Sequence, residues 1–149
     1  MPYLVVIVFH RVCEELRVEH RLYLPLPPDW FRNESVSPAG RFWEDRFDEL
    51  LKKFTSVPCL AQSTDLPLWL SVKKEYTSWQ RANLWLIHEA RALNAKNFTL
   101  ISLWDGIKTE GLGGTYHMRA VAQEYGAALV TIYTSDLLNA DSATTQPGG

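Results

Sequence analysis

The chain has 149 residues, a formal net charge of −2 at pH 7 and a hydrophobic fraction of 46%. This length fits one domain with a single core, and the composition argues against global disorder. The small net charge gives no reason to expect bulk nucleic acid or an anionic membrane as a partner. The two cysteines and four histidines have no metal-ligand spacing and form no framework of disulfide bridges. We therefore expect a reduced, cytoplasmic protein without a metal site.

The first half of the chain alternates apolar runs with segments of helical spacing, which is typical of β and α elements taken in turn. Its first run, residues 4–8, is rich in β-branched side chains. It predicts a buried strand, with a poor signal anchor as the alternative, and it is far too short to span a bilayer. The other elements predicted in this half are a helical segment to residue 17, a strand at 20–26, a loop at 29–40, a helix at 43–54 and a short strand at 57–61.

The second half of the chain has the clearer alternation. It predicts a long helix at 76–93, a strand at 98–104, a loop at 105–114, a helix at 115–125 and a last strand at 129–133. This order predicts an α/β fold, with a Rossmann-like and mostly parallel sheet of about five strands and helices on both faces. We expect one domain over residues 1–138 and a disordered tail over residues 139–149.

A glycine-rich loop at residues 105–115 is the segment most typical of a binding site. Gly113, Gly114 and Thr115 stand between the predicted strand and the predicted helix. Glycine lets backbone N–H groups approach an anion, and a helix start capped by Thr115 favours a phosphate. The alternative is an ordinary tight turn and N-cap, because the loop matches neither a P-loop nor the dinucleotide G-x-G-x-x-G pattern.

Three polar residues around this loop have two interpretations each. Asp105 ends the strand just before Gly106, and it either accepts hydrogen bonds from a ribose or closes an Asx turn. His117 is either a phosphate donor or a general base, or else a partly exposed histidine at a helix start. Asn83, on an otherwise apolar helical stripe, is either a ligand group or a buried amide that satisfies the backbone.

Two motifs in this segment suggest a family. They are Trp104-Asp105-Gly106 at the strand end and Gly113-Gly114-Thr115, followed by His117-Met118, at the helix start. In this order they resemble the Trp-Asp-Gly…Gly-Gly-Thr signature of SLOG-like Rossmannoid domains. Stretches at 24–47 and 76–85 match the same group, so the resemblance covers about residues 14–134. Such domains occur in bacterial signalling and conflict proteins beside TIR, CHAT or tetratricopeptide modules.

The resemblance implies a signalling or defence module that binds a nucleotide or a nucleotide-derived signal, such as NAD or ADP-ribose. It implies no required cofactor, and an effector domain as a protein partner. The ligand-binding residues that it implies are Ser35, Asn83, Asp105, Gly106, Gly111, Gly113, Gly114 and Thr115.

The chain also departs from the family pattern. Residues 109–112 do not read Gly-Asp-Gly-Pro, and the chain begins where a preceding β–α–β unit of larger relatives ends. We therefore expect an N-terminally truncated domain, so an interaction or structural module that forms a homo-oligomer is an alternative. A nucleotide N-glycoside hydrolase with Asp105, Glu110 and His117 as catalytic residues is a further alternative. Met118 stands where related phosphoribohydrolases place a glutamate, which argues against that chemistry.

Overall fold

The computed structural model describes residues 4–60, 75–94, 96–108 and 112–137. They form a mixed α/β fold with a parallel sheet of two strands. In chain order the elements are α1 (Leu4–Glu15), α2 (Pro28–Phe31), α3 (Arg41–Leu51), α4 (Ser78–Leu93), β1 (Thr99–Trp104), α5 (Thr115–Glu124) and β2 (Ala128–Tyr133). Within these ranges, none of the helices combines the length and the hydropathy that a membrane span requires.

The first half of the chain packs around one apolar core, which we call the N-terminal cluster. It comprises Ile7, Leu22, Leu24, Leu26, Phe31, Val36, Phe47 and Leu50. Helix α3, predicted from its apolar spacing, contributes two of these side chains from one face. The helix predicted at 43–54 is therefore confirmed, with bounds of Arg41–Leu51.

The strand predicted for residues 4–8 is wrong, because this segment is the beginning of helix α1. The helical spacing places Ile7, His10 and Cys13 on one buried face. The preference of β-branched side chains for strands is weak, and packing of this face against the N-terminal cluster outweighs it. The helical segment predicted to residue 17 therefore begins earlier, at Leu4, and its buried face is not the apolar stripe, since Phe9, Val12 and Leu16 are exposed.

Residues 20–26 and 57–60 form no ladder of strands, although strands were predicted at 20–26 and 57–61. They meet in one isolated parallel bridge between Leu24 and Cys59. The Leu24 N–H donates to the Pro58 carbonyl (3.0 Å), and the Leu24 carbonyl accepts from the N–H of Leu60 (3.1 Å). Both segments contain proline, which cannot donate to a ladder, so the pairing ends after this bridge.

Residues 29–40, predicted as a loop, are a succession of short helical turns. After α2 they form a π-helical turn (Arg32–Val36) and a 3-10 turn (Ser37–Ala39). The Arg32 guanidinium fastens these turns to α3, because it donates to both carboxylate oxygens of Asp48 (3.0 and 3.3 Å) and to Glu44 (3.1 Å). Because Glu44 and Asp48 are 12 and 16 positions from Arg32 along the chain, the composition of residues 29–40 does not predict these ion pairs.

The second half contains a β–α–β unit, as predicted. Strands β1 and β2 pair in parallel, with Thr99 opposite Ala128 and Trp104 opposite Tyr133, and α5 connects them. Both strands therefore end at the same edge of the sheet, which is where ligands bind in α/β folds. These are the two of the five predicted strands that the described residues place in a sheet. The predicted tail at 139–149 lies outside the described residues.

The long helix α4 links the two halves. A capping box of Thr77 and Gln80 begins the helix, two residues later than predicted. Its side chains enter a second core, the C-terminal cluster, which comprises Leu60, Ala82, Leu84, Ile87, Val121 and Ala122. At its first turn the ring of Trp79 lies 6.3 Å from that of Phe31, between centroids, so α4 also contacts the N-terminal cluster.

His10 makes the stability of the first half depend on pH. The residue is 3% exposed, and its Nδ1 lies 2.9 Å from Nδ1 of His20, so one proton at most occupies the space between them. Burial and then the charge of His20 lower the pKa of His10 to about 4, against an opposing effect of Glu14. The neutral form of His10 is therefore the one that the fold accommodates.

We expect the free energy of unfolding to fall as the pH decreases from about 6.5 towards 4, because the unfolded chain protonates His10 first. Urea denaturation at pH values of about 7, 6 and 5 measures this loss. His10→Phe, which keeps a ring in the same place, should reduce the loss above pH 5, before carboxylates begin to titrate, and leave the part that other buried histidines contribute. A variant as sensitive to pH as the wild type in this window would contradict the assignment.

Candidate functional site

The site begins where β1 ends. The Ile107 N–H donates to Asp105 Oδ1 (2.9 Å), and the Trp104 Nε1–H donates to the Ile107 carbonyl (3.1 Å). Asp105 therefore closes an Asx turn, one of its two predicted roles. Gly106 adopts φ +86°, which L side chains disfavour, and this lets the chain leave the strand sharply. The Asp105 side chain is exposed, and its contact with a ribose stays a prediction.

Gly113 brings the end of the loop into contact with the first turn of α4. It adopts φ +91°, and a Cβ at this position would come within 2.5 Å of Trp79 Cβ and 2.9 Å of the Gln80 nitrogen. Because neither atom lies at the end of a flexible side chain, only glycine permits this approach. Gly113 thus fixes the distance between the loop and α4.

Asn83 joins the end of the loop to the first turn of α5. Its Nδ2 donates to the Gly113 carbonyl (2.9 Å) and to Nδ1 of His117 (3.1 Å). The amide therefore satisfies the backbone, which is the second of its two predicted interpretations. One side chain on α4 fixes both the last turn of the loop and the first turn of α5.

Helix α5 begins without a side-chain cap. Its N-cap is Gly114 in an extended conformation (φ −69°, ψ −172°), and Thr115 is the first helical residue. The prediction that Thr115 caps the helix is therefore wrong, because the cap lies one residue earlier at a glycine that has no side-chain oxygen. Gly114 makes no side-chain cap hydrogen bond to the first turn, and the helix dipole adds partial positive charge there. An anion is the natural complement of such an end.

His117 supplies a neutral donor in the same turn. Because Asn83 donates to Nδ1, the ring hydrogen is on Nε2, and this nitrogen is buried without a hydrogen-bond partner among the described residues. Tyr76 packs edge-on against the ring, with centroids 5.6 Å apart. Burial lowers the pKa of His117, so the ring is neutral at pH 7.

Arg119, which the sequence analysis missed, lies one turn further along α5. Its Nη1 donates to Ser102 Oγ (3.0 Å) and to the hydroxyl of Thr131, which are opposite each other in the sheet. Its Cζ lies 4.7 Å from the ring centre of Trp104. The available signal was its position three residues before the buried Ala122, on the face of α5 that meets the sheet.

The structure does not bring all the predicted residues together. Ser35 is buried in the π-helical turn, and no described hydrogen bond or ring contact joins it to the loop. Glu110 and Gly111 lie outside the described residues. No described contact joins Asp105 to His117 as an acid–base pair. Within the described ranges, no group of three or more His, Cys, Asp or Glu residues could hold a metal ion.

Comparison of the chain with models of protein families, with curated proteins and with solved structures gives no significant match. Inference about function therefore depends on the site and on the resemblance of its motifs to SLOG-like domains. The start of α5 is surrounded by donors on two sides, with His117 on the side of α4 and the guanidinium of Arg119 on the side of the sheet. Their common chemical complement is an anion.

Proposed function

We propose that this protein is a nucleotide-binding module of the SLOG-like type, which holds a phosphate of its ligand at the N-terminus of α5. The observation that carries the proposal is the uncapped first turn of α5, in the β–α–β crossover that begins beyond the carboxyl end of β1. The proposed ligands are NAD, ADP-ribose or a related nucleotide, from the resemblance of the Trp-Asp-Gly and Gly-Gly-Thr motifs. A cytoplasmic role in bacterial signalling or defence, and a Rossmann-like sheet larger than two strands, belong to the same proposal.

The geometry supports a preformed cradle. Asn83 and the close approach of Gly113 to α4 fix the backbone next to the helix start before any ligand arrives. A fixed backbone loses little conformational entropy on binding, which favours affinity. The arrangement of donors without a described acid–base pair favours binding over hydrolysis.

Gly114→Asp tests the cradle without weakening the helix. A carboxylate at the N-cap accepts hydrogen bonds from the first turn, so the fold should stay at least as stable while the phosphate is repelled. We expect titration calorimetry with ADP-ribose, NAD and AMP to give binding to the wild type that Gly114→Asp weakens by about tenfold or more.

Gly114→Asn is the matched control, because it caps the helix with the same bulk but no charge. It should weaken binding less than Gly114→Asp does. A folded wild type that gives no heat with any of these probes would contradict the proposal, as would equal affinity of the wild type and Gly114→Asp.

A second candidate function is self-association through the sheet, and one surface favours it. The face of the sheet away from α5 carries Ile101 and Leu103 opposite Val130 and Ile132, and Ile101 is 54% exposed. Parallel sheets are normally covered on both faces. No charged side chain lies on this face of β1 and β2, so two copies can meet there without burying like charges.

Light scattering tests this second candidate on the wild type and Ile101→Glu, with Leu93→Glu as the control at an exposed apolar side chain of α4. A dimer that Ile101→Glu alone dissociates would support it. A monomeric wild type would exclude it.

A further inference from the structure

Three aromatic rings form a row at the carboxyl edge of the sheet, which we call the aromatic row. The ring of Trp104 lies 6.2 Å from that of Tyr133 and 6.3 Å from that of Tyr116, between centroids, at interplanar angles of 29° and 31°. Trp104 is buried at the centre, whereas Tyr116 is 42% exposed. The rings come from β1, β2 and α5, so only the folded β–α–β unit assembles the row.

Arg119 lies over the central ring of this row, that of Trp104, and part of its hydrogen-bonding capacity is unused in the described residues. Nη1 is held by the hydroxyls of Ser102 and Thr131, and no described hydrogen bond uses Nε or Nη2. In the described part of the chain, no carboxylate lies within salt-bridge distance of Arg119. The guanidinium is thus oriented but its charge is not neutralised.

The contrast with Arg32 indicates what Arg119 lacks. Arg32, similarly half-buried, is paired with the carboxylates of Glu44 and Asp48. A cation that leaves water requires an opposite charge, and hydroxyls are weaker partners than a carboxylate. A planar guanidinium with an open edge is suited to phosphate, which it binds through two parallel hydrogen bonds.

We infer that the ligand is a nucleoside phosphate that spans this cluster, with its phosphate between Arg119 and the first turn of α5 and its base stacked on Tyr116. The inference rests on the proposed function and adds that the base and the phosphate are recognised by separate groups. Stacking on an aromatic ring accepts any base, since every base has a π-face. The site therefore selects the class of ligand more strongly than the base.

Calorimetric titration with AMP, adenosine and ribose 5-phosphate separates the two parts of this recognition. We expect AMP to bind the wild type about tenfold or more tightly than either fragment. Arg119→Lys keeps the charge but loses the planar fork, so it should weaken AMP and ribose 5-phosphate by about tenfold and leave adenosine unchanged. Tyr116→Leu should weaken AMP and adenosine and leave ribose 5-phosphate unchanged.

Arg46→Lys is the matched control, because Arg46 also stacks on aromatic rings, 4.0 Å from the centre of Phe42 and 5.7 Å from that of Trp43. It lies in the first half of the chain and should leave all three affinities unchanged. Urea denaturation of each variant tests whether it is folded. If Arg119→Lys does not fold, Arg119→Gln, which also removes the charge, replaces it in the titrations.

The outcomes separate this inference from the proposed function. AMP binding that neither Arg119→Lys nor Tyr116→Leu weakens would overturn the inference and leave the proposed function standing. Binding that Arg119→Lys abolishes and Gly114→Asp leaves intact would support Arg119 as a ligand of the phosphate, but it would overturn the helix start as the phosphate site and with it the inferred position between the two. A folded wild type that binds none of the probes would overturn both.

Discussion

Gly113→Ala should lower the free energy of unfolding by about 2–4 kcal/mol. At φ +91° an alanine costs about 1–2 kcal/mol in backbone strain. Its Cβ would also lie 2.5 Å from Trp79 Cβ and 2.9 Å from the Gln80 nitrogen, so the loop and α4 must separate. The separation would stretch the hydrogen bond from Asn83 to the Gly113 carbonyl and displace the start of α5.

Gly126→Ala is the control for this prediction. Gly126 has a similar backbone conformation, φ +84°, but a Cβ there would meet no atom within 4 Å. The free energy of unfolding of Gly126→Ala should therefore fall only by the cost of backbone strain, about 1–2 kcal/mol. Urea denaturation of the two variants compares these losses directly. Equal destabilisation would mean that the approach of the loop to α4 is not tight.

Phe47→Ala should lower the free energy of unfolding by about 3–5 kcal/mol, because it opens a cavity in the N-terminal cluster. Phe47 is 0% exposed, and its ring centre lies 5.5 Å from that of Phe31. Phe31 in turn contacts Trp79 at the start of α4, and Trp79 is the residue that Gly113 of the candidate site approaches.

Phe42→Ala, on the same helix, is the control, because Phe42 is 60% exposed. This variant loses only the contact with Arg46, so its free energy of unfolding should fall by about 1 kcal/mol or less. Denaturation followed by far-ultraviolet circular dichroism and by tryptophan fluorescence should give one coincident transition for both variants. Two separate transitions would contradict the prediction of a single domain. Equal stability of the two variants would contradict the position of Phe47 in the core.

The second half of the fold was predictable because its signals are local. Alternation between strand and helix spacing located β1, α5 and β2 to within about two residues, the usual uncertainty of such boundaries. In the first half, tertiary packing decides the conformation. Residues 4–8 have strand propensity but begin a helix that buries Ile7, and Arg32 joins the helical turns of the predicted loop to α3 through partners far along the chain.

The candidate site was predictable as a segment but not as a set of contacts. The order of strand, glycine loop and helix indicated where α5 begins, and Asn83 was recognisable as a polar residue on an apolar stripe. That Asn83 bonds Gly113 rather than pointing to a ligand depends on the packing of α4 against α5. Arg119 was missed because its partners, Ser102 and Thr131, come from two strands whose register the sequence does not state.

The most direct test of the central claim is a titration of the isotopically labelled wild-type protein with ADP-ribose and AMP, followed by the backbone amide signals in nuclear magnetic resonance spectra. Binding at the proposed place predicts the largest changes at Gly114, Thr115 and Tyr116, with smaller changes along β1 and little change in α3. Signals that stay unchanged at millimolar probe, or that change mainly in the first half of the chain, would contradict a phosphate site at the N-terminus of α5.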